Sequence, residues 1–399
     1  MKRSLRHLVL LLLIGNALFA QVDWFGYLES EWDRLNVSGQ SYNFGYLKTR
    51  LDLESRPADA VLVAANVNLQ QYMGKTHWNL LDFLPETAWK PVFQPPYLPD
   101  SLWVTEYPFT YRDTLYLDNA YLRVNFAHLD LTVGKQPLSL GTGYVWNPVD
   151  IFNLKDPVDP TYEQTGIQAL RADIPLTSRG GLSLILGPGA DWAKTTKYVQ
   201  VKSGLGSFDF TLNWAEYQGA YRYWDIVSYM GQPPTETQFD SYGGTLVGQI
   251  FGIGLWAETW RKHHRDWGGK TYWESVAGFD YTFENGWMIL NEFLYNQQGS
   301  KKGRVSLYDY LAYFEGQTHS LNQNYDFFYT TYPAGDFVNL GCLAIMNLDD
   351  HSAMISPQVD WNLFENGNLS FWYLYPLGDG DTDFGFQDAG WRIRLRTYF

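Results

Sequence analysis

Apolar and polar residues alternate along most of this chain with a period of two. Between residues 389 and 399 one parity is apolar and aromatic, and the other carries three arginines; the two sets are Trp391, Ile393, Leu395, Thr397 and Phe399, and Arg392, Arg394, Arg396 and Tyr398. Successive side chains of a β-strand point to opposite faces, so this segment predicts a strand with two chemically different faces. A helix would instead spread the arginines around its circumference.

The same alternation recurs over segments of about ten residues. It is clear at 47–54, 61–70, 119–126 and 208–214, and weaker at 287–293. Long alternating segments joined by turns are typical of membrane β-barrels, whereas strands of soluble sheets average about five to six residues. We therefore predict an all-β fold, a transmembrane antiparallel up-and-down β-barrel of about 18 strands, with 16 strands as the alternative.

The connections alternate between short and long. Turn-forming residues predict tight connections near 55–59, 127–128, 177–180, 204–206, 284–286, 333–335 and 365–367, with a less certain bend near Phe251. Longer segments lie between them, including 73–115 and 139–164. Short turns at one end and long loops at the other are expected of an outer-membrane barrel.

The first 20 residues predict a secretory signal peptide. Lys2, Arg3 and Arg6 precede an apolar run at 8–14, and small residues precede Gln21. Seven apolar residues are too few to span a membrane as a helix, which needs about 20. The expected organisation is a signal peptide at 1–20 and a single barrel with inserted loops at 21–399.

Composition narrows the class further. The chain has 399 residues, a formal net charge of −14, 18% charged residues and 18% aromatic residues. This balance excludes a disordered chain and argues against nucleic acid as a partner, because nucleic-acid binders are basic. The single cysteine, Cys342, excludes an intrachain disulfide.

The C-terminal pattern resembles a known signal. Phe399, preceded by Leu395, Ile393 and Trp391, resembles the C-terminal assembly signal of Gram-negative outer-membrane proteins, although Thr397 replaces a bulky apolar residue. The resemblance implies localisation in a bacterial outer membrane, with outer-membrane lipid around the barrel. It also implies contact with the barrel-assembly machinery through the last strand.

Two internal motifs resemble a broad family of porin-like barrels. Gly134-Lys135-Gln136 is followed by a Trp-Asn-Pro-x-Asp motif at 146–150, and 347–352 resembles the family's short Asp-Ser loop; Lys135 stands where the family pattern has Arg. The resemblance implies passage of solutes rather than a named reaction.

The arginine row predicts a lumen lined with charge. An arginine facing lipid at mid-membrane costs about 2–4 kcal/mol, so Arg392, Arg394 and Arg396 must face the lumen. Other cations could complete a ring with them: Lys48, Arg50, Arg123 and Arg171. Two interpretations stay open. The row selects anionic solutes, or it pairs with acids of neighbouring strands such as Glu29, Asp52 or Glu54.

Two long segments are candidates for a constriction. Segment 73–115 contains Trp78, Trp89 and Trp103, and segment 139–164 contains Trp146. Such aromatic loops either fold into the barrel and narrow it, or pack on other loops as a lid at the rim.

Signals for catalysis are poor. His263 and His264 are adjacent and would point to opposite faces of a strand, so they cannot share a metal. The cluster Asp349, Asp350 and His351 is the remaining candidate, as an outer-membrane hydrolase at the rim. We expect no enzyme, no cofactor and no metal site.

The function expected from these features is an outer-membrane porin. It would let small hydrophilic solutes diffuse passively, with anions as the candidate preference. The alternative is a closed barrel that acts as a surface binding or interaction module. The sequence leaves open whether the chain forms a homo-oligomer.

Overall fold

Most of the chain folds into antiparallel β-strands. The computed structural model describes residues 21–221, 235–265, 269–301, 305–314 and 316–399, and the predicted signal peptide lies outside the described residues. The strands are β1 Val22–Val37, β2 Gln40–Ala58, β3 Val61–Gly74, β4 His77–Asn79, β5 Pro108–Thr110, β6 Thr114–Phe126, β7 Leu129–Gln136, β8 Ile167–Pro175, β9 Gly181–Gly187, β10 Thr196–Leu205, β11 Phe208–Tyr221, β12 Thr235–Ile250, β13 Ile253–His264, β14 Thr271–Thr282, β15 Met288–Asn296, β16 Asn324–Pro333, β17 Val338–Asn347, β18 Ser352–Phe364, β19 Gly367–Leu377 and β20 Gly390–Tyr398. The helices are α1 Glu86–Phe93 and α2 Leu307–Phe314.

Eighteen of the described strands form one closed sheet. Each pairs antiparallel with the next, and β20 returns to β1 in a register that runs from Tyr27 opposite Tyr398 to Arg34 opposite Trp391. Phe399 extends this seam by exchanging backbone hydrogen bonds of 3.0 and 3.1 Å with Gly26. Closure leaves no unpaired strand edge. The predicted all-β barrel is confirmed, with 18 strands in the described chain rather than 16.

The two ends of the barrel differ. At the short-turn end the connections are 59–60, 127–128, 176–180, 206–207, 251–252, 283–287, 334–337 and 365–366. These positions agree with the predicted turns, including the bend at Phe251, where Phe251 and Gly252 take φ values of 51° and 83°. At the opposite end, the long-loop end, lie the segments 75–113, 137–166, 297–323 and 378–389.

The outer face of the barrel is apolar. Large side chains stand exposed on it, among them Trp24 at 67%, Leu115 at 72% and Leu212 at 64% of their surface. Exposed aromatic residues surround the short-turn end: Trp24, Phe126, Phe251, Trp287, Phe337, Phe364 and Phe399. Others lie towards the long-loop end: Trp32, Tyr242, Trp273 and Tyr375. Trp24 and Trp32 lie eight residues apart on β1, or about 26 Å along the strand at 3.3 Å per residue.

The inner face is polar except along β13–β17 and on part of β8–β13, where Ile185, Tyr198 and Trp260 are buried. On most strands the inward positions are polar, such as Asn66 and Asn68 on β3 and Asn213 on β11. On β15, however, the inward row is Leu290, Glu292 and Leu294, which explains why alternation was weak there. An apolar wall inside the barrel needs something to cover it.

Three of the long segments pack together into a lid, which we define as 75–113, the described residues of 297–323 (297–301, 305–314 and 316–323) and 378–389. Its core joins Leu81, Trp89 and Phe93 to Leu311 of α2, with Phe386 against it. The segments leave the barrel at widely separated points of the rim, so their mutual contact places the lid across the mouth. Within the described ranges, no helix has the length and apolar character needed to cross a membrane.

Candidate functional site

The fourth long segment, the bore loop 137–166, folds into the barrel and covers the apolar wall. Val145 and Trp146 are buried against Leu294 of β15, Phe327 of β16 and other residues of that wall. The Trp146 ring lies 6.1 Å from the Tyr325 ring. The predicted segment 139–164 falls within this loop, and its role as a constriction stays a prediction.

A buried carboxylate on β15 holds the middle of the bore loop. Glu292 is fully buried. Its Oε1 accepts the backbone N–H groups of Val145 and Trp146, both at 2.9 Å. Its Oε2 accepts the backbone N–H of Tyr144 at 2.5 Å and the indole N–H of Trp256 at 2.6 Å. Burying a charge is costly unless it is hydrogen-bonded. Four donors satisfy Glu292, and three of them belong to the bore loop.

A second carboxylate, Glu258 on β13, repeats this arrangement. It accepts the backbone N–H groups of Thr142, of Gly143 at 2.6 Å and of Val149 at 3.4 Å. Gly141 beside them has φ of +89°, and a Cβ there would lie 2.6 Å from the Glu258 carboxylate. Only glycine tolerates both conditions, so this position lets the loop backbone approach the anchor.

The loop also stabilises itself. Asp150, the acid of the Trp-Asn-Pro-x-Asp motif, accepts backbone N–H groups of Leu140, Phe152 and Asn153 at 3.0–3.2 Å. Lys155 Nζ donates to the carbonyls of Gly143 and Tyr144, both at 2.9 Å. The motif therefore shapes a turn that presents its N–H groups to the two anchoring glutamates.

The far part of the bore loop reaches the opposite wall. Asp159 forms an ion pair of 2.7 Å with Arg394. Tyr162 donates to Glu29 at 2.9 Å, and Glu163 forms an ion pair of 2.6 Å with Arg50. β2, which carries Arg50, lies nine strands from β13 in either direction around the sheet. The loop therefore crosses the lumen from wall to wall.

The three predicted arginines face the lumen, and each is matched by an acid on β1. In the β1–β20 register Asp33, Glu31 and Glu29 stand directly opposite Arg392, Arg394 and Arg396. The Nε atoms of the arginines donate to these carboxylates at 2.9, 2.7 and 2.6 Å. This corresponds to the second sequence interpretation, with Glu29 as named there and with Glu31 and Asp33 in place of Asp52 and Glu54.

Two more predicted cations join this group. Lys48 donates to Tyr162 at 3.1 Å and lies 3.6 Å from Glu163, and Arg50 pairs with Asp52 at 2.9 Å. We call the whole set the charged belt: the cations Lys48, Arg50, Arg392, Arg394 and Arg396, and the acids Glu29, Glu31, Asp33, Asp52, Asp118, Asp159 and Glu163. Seven carboxylates face five cations, so the belt is not positive.

The remaining two predicted cations lie apart from the belt. Arg123 on β6 donates to Thr132 at 3.4 Å, and Arg171 on β8 pairs with Asp173 at 2.7 Å. Arg123 lies towards the short-turn end of β6, and Arg171 lies at the middle of β8. The described contacts of these two residues do not complete a ring with the arginine row.

The predicted constriction aromatics separate into two places. Trp146 lies in the bore loop, as described above. Trp78, Trp89 and Trp103 lie in the lid: Trp78 contacts Tyr42 at 5.5 Å between ring centroids, Trp89 is buried in the lid core, and Trp103 Nε1 donates to the Leu98 carbonyl at 3.2 Å. Segment 73–115 thus packs on other loops, the second of the two interpretations.

Space remains on both sides of the Asp159–Arg394 bridge. One cavity of about 220 Å³ is lined by Tyr144, Tyr329, Trp372 and Arg396 as well as the bridge. Another, of about 290 Å³, is lined by Glu31, Lys48 and Glu163 together with the bridge. Both are lined largely by polar and charged groups, and the Asp159–Arg394 bridge lines both of them.

The acids of the candidate hydrolase cluster, Asp349 and Asp350, accept hydrogen bonds from neighbouring loop residues. Asp349 accepts the backbone N–H groups of Gln323 and Asn324, both at 2.8 Å, and Asp350 accepts from Ser352. In the described part of the chain no hydrogen bond joins His351 to either acid, and no group of three His, Cys, Asp or Glu side chains is arranged to hold a metal. That the chain is not an enzyme stays an expectation.

Sequence reasoning missed the anchors Glu258 and Glu292 and the acids Glu31, Asp33 and Asp159. One signal was available, since Glu292 interrupts an otherwise apolar row with Leu290 and Leu294. A charged residue in such a row indicates a buried hydrogen-bonding partner, because burying an unpaired charge is costly. Nothing in the linear sequence, however, shows that the partner is the backbone of a loop about 150 residues away.

A closed barrel whose polar lumen is crossed by its own loop is the arrangement that the chain presents. No family model and no curated protein matches the chain. Solved structures that are similar include OmpT, an outer membrane protein of Vibrio cholerae, in a trimer form: it is 10% identical, the match covers 95% of this chain and 99% of that chain, and the TM-score is 0.47.

Two further similar structures are channels or porins by name. A triple mutant of the Rhodopseudomonas blastica porin is 10% identical over 95% of this chain and 100% of that chain, with a TM-score of 0.46. The outer membrane channel DcaP of Acinetobacter baumannii is 11% identical over 95% and 97%, also with a TM-score of 0.46.

Proposed function

We propose that this chain is a porin-like channel of a bacterial outer membrane through which small hydrophilic solutes diffuse passively. The observation that carries the proposal is the bore loop, held from wall to wall of a polar lumen by Glu258 and Glu292 on one side and the charged belt on the other. A barrel built only as a rigid surface support has no need of a charged, loop-crossed interior.

The outer face supports the membrane placement. Exposed Trp24, Leu115 and Leu212 belong to a continuous apolar surface that a water-soluble protein would bury. Lipid around this surface would remove it from water, while the closed sheet leaves no open strand edge in hydrocarbon. Outer-membrane lipid is therefore the proposed surrounding, and the last strand β20 is the proposed contact for the assembly machinery.

The proposed selectivity is weak. The sequence hypothesis of an anion preference rested on the row Arg392, Arg394 and Arg396. In the structure each of these guanidiniums stands opposite a carboxylate, and the belt holds more acids than cations. Paired charges of both signs present hydrogen-bonding groups to a passing solute and create little net potential, which suits uncharged or zwitterionic hydrophilic solutes.

Planar-bilayer recording tests the channel. Folded protein purified in a nonionic detergent should insert and give discrete conductance steps of uniform size. The control is the same preparation after heat denaturation, which should give none. If the folded protein inserts, as shown by co-flotation with vesicles, but gives no steps, the channel proposal fails.

The alternative, a closed barrel acting as a surface binding module, has one observation in its favour. The lid joins 75–113 to α2 and Phe386 across the mouth. A lid that seals the barrel would make the loops, rather than the lumen, the functional surface. Deleting lid residues 80–105 separates the two proposals: a conducting deletion variant beside a silent parent would favour the closed barrel.

A further inference from the structure

A third cavity lies between the bore loop and the lid, and we call it the lid cavity. Its volume is about 220 Å³. Aromatic side chains from four parts of the chain form its walls: Phe83, Trp146, Tyr310, Tyr313, Phe384 and Phe386. The Tyr310 ring stands at 89° to the Phe386 ring, with 6.4 Å between centroids. A cavity of about 150 Å³ holds benzene, so this one is large enough for a ring with a short substituent.

The ionisable side chains that line the lid cavity include two carboxylates and one histidine, His319, whose Nδ1 lies 3.0 Å from a carboxylate oxygen of Glu274. Asp156 of the bore loop and Asp383 of the lid both face it, and its described lining includes no lysine or arginine. Within the described ranges, neither carboxylate forms an ion pair. Asp383 is 8% exposed; its Oδ2 accepts from Tyr325 Oη at 2.7 Å and from Asn347 at 3.4 Å, and Oδ1 receives no hydrogen bond from a described residue.

A polar group in the wall also lacks a partner. Tyr310 is 4% exposed, and its hydroxyl has no hydrogen-bond partner among the described residues. Burial, with Asp383 and Asp350 nearby, raises the pKa of this hydroxyl above its usual range. Leaving a buried hydroxyl unpaired costs about 1–3 kcal/mol. A ligand that donates a hydrogen bond here would recover part of that cost.

We propose that the lid cavity binds a small organic cation, a substituted ammonium attached to an aromatic or similarly sized apolar ring. Aromatic faces attract cations through their quadrupoles, and the attraction grows when water is excluded. Asp156 and Asp383, which have no ion-pair partner among the described residues, supply the counter-charge, and the Tyr310 oxygen accepts an N–H. An anion would meet two like charges, and a neutral ring would leave both carboxylates uncompensated.

Binding to the folded protein tests this inference without any need for conduction, so its outcome is independent of the proposed channel. Isothermal titration calorimetry in a nonionic detergent would compare three probes of similar shape: phenethylammonium, phenethyl alcohol and phenylacetate. At pH 7.5 phenethylammonium should bind at least tenfold more tightly than the alcohol, and phenylacetate should show no binding. Equal affinity for the alcohol, or no binding of phenethylammonium, would overturn the proposal.

Matched variants locate the site. Asp383→Asn keeps an oxygen that can accept from Tyr325, and it should weaken phenethylammonium binding at least tenfold with little change for the alcohol. Asp381→Asn, at an exposed position of the same loop, should leave both affinities unchanged. If Asp383→Asn weakens both probes equally, Asp156→Asn decides: loss restricted to the cation supports the site, and equal loss or no loss refutes it.

Discussion

Replacing Glu292 by glutamine should release the bore loop. The variant Glu292→Gln keeps the size of the side chain but exchanges one acceptor oxygen for an NH₂ group. Oε1 receives Val145 and Trp146, and Oε2 receives Tyr144 and the Trp256 ring N–H. In either orientation of the amide, its oxygen keeps two of the four hydrogen bonds. Its NH₂ group replaces the other oxygen and faces the remaining two N–H donors, so these two hydrogen bonds are lost.

The size of the effect follows from those contacts. A hydrogen bond to a charged acceptor contributes about 1.5–3 kcal/mol, so two losses cost about 3–6 kcal/mol. A neutral amide is easier to bury than a carboxylate, which favours the lower figure. About 3 kcal/mol corresponds to roughly a hundredfold change in the ratio of anchored to released loop, since each 1.4 kcal/mol is tenfold.

Limited proteolysis measures this ratio directly. Lys155 is the one lysine or arginine in the bore loop, so trypsin cleavage after it reports release, and its rate follows the open population when reclosing is fast. Cleavage of the folded Glu292→Gln barrel should be about a hundredfold faster than that of the parent, and single-channel current should become noisier.

The control is Glu284→Gln in the exposed turn between β14 and β15, which should match the parent in both assays. Strand content measured by circular dichroism must be equal in all three proteins. A folded Glu292→Gln variant with parental cleavage at Lys155 and quiet current would refute the anchoring argument.

Three other predictions concern the belt, the lid cavity and the lid. Changing Arg392, Arg394 and Arg396 together to glutamine leaves their carboxylates uncompensated, so the reversal potential in a salt gradient should move toward cation selectivity. Burial raises the pKa of Asp383 to about 6; as the pH falls through this value the carboxylate is neutralised, so phenethylammonium affinity should fall severalfold between pH 7.5 and 5. Leu311→Ala removes a buried side chain of the lid core, and a loss of about 2–5 kcal/mol should expose the lid to protease while the barrel stays intact.

Each of these has a matched check. For the belt, the matched variant combines Glu29→Gln, Glu31→Gln and Asp33→Asn. Its reversal potential should move toward anion selectivity. If the reversal potential is unchanged in both triple variants, the belt does not lie on the conduction path. For the pH dependence, Asp156 and His319 also line the lid cavity, and Asp350 accepts the backbone N–H of Asp383 at 2.7 Å. Asp383→Asn must therefore flatten the profile, and a profile that persists in this variant would contradict the assignment to Asp383. For the lid, Leu102→Ala at a 63% exposed position should change nothing, and equal protease sensitivity would contradict the proposed lid core.

The strand pattern was readable because it is local. Lipid and lumen impose opposite preferences on alternate residues, so rows such as Arg392, Arg394 and Arg396 beside Ile393 and Leu395 indicate both the strand and its faces. Turn residues at 284–286 and 365–367 marked the short connections in the same way. The barrel class, a strand number of about 18 with 16 as the alternative, and the expected lumenal direction of the arginines all rest on such short-range information.

The partners inside the lumen depended on which strands become neighbours. Closure of the sheet brings Glu29, Glu31 and Asp33 opposite arginines more than 350 residues away. The sequence suggested Glu29 as a partner, but it did not indicate the register that also pairs Glu31 and Asp33. The route of the bore loop was equally hidden, because Glu258 and Glu292 bind backbone N–H groups, which every residue except proline possesses. Side-chain alternation reports the environment of each strand, whereas the identity of the facing group is settled only when the barrel closes around its loops.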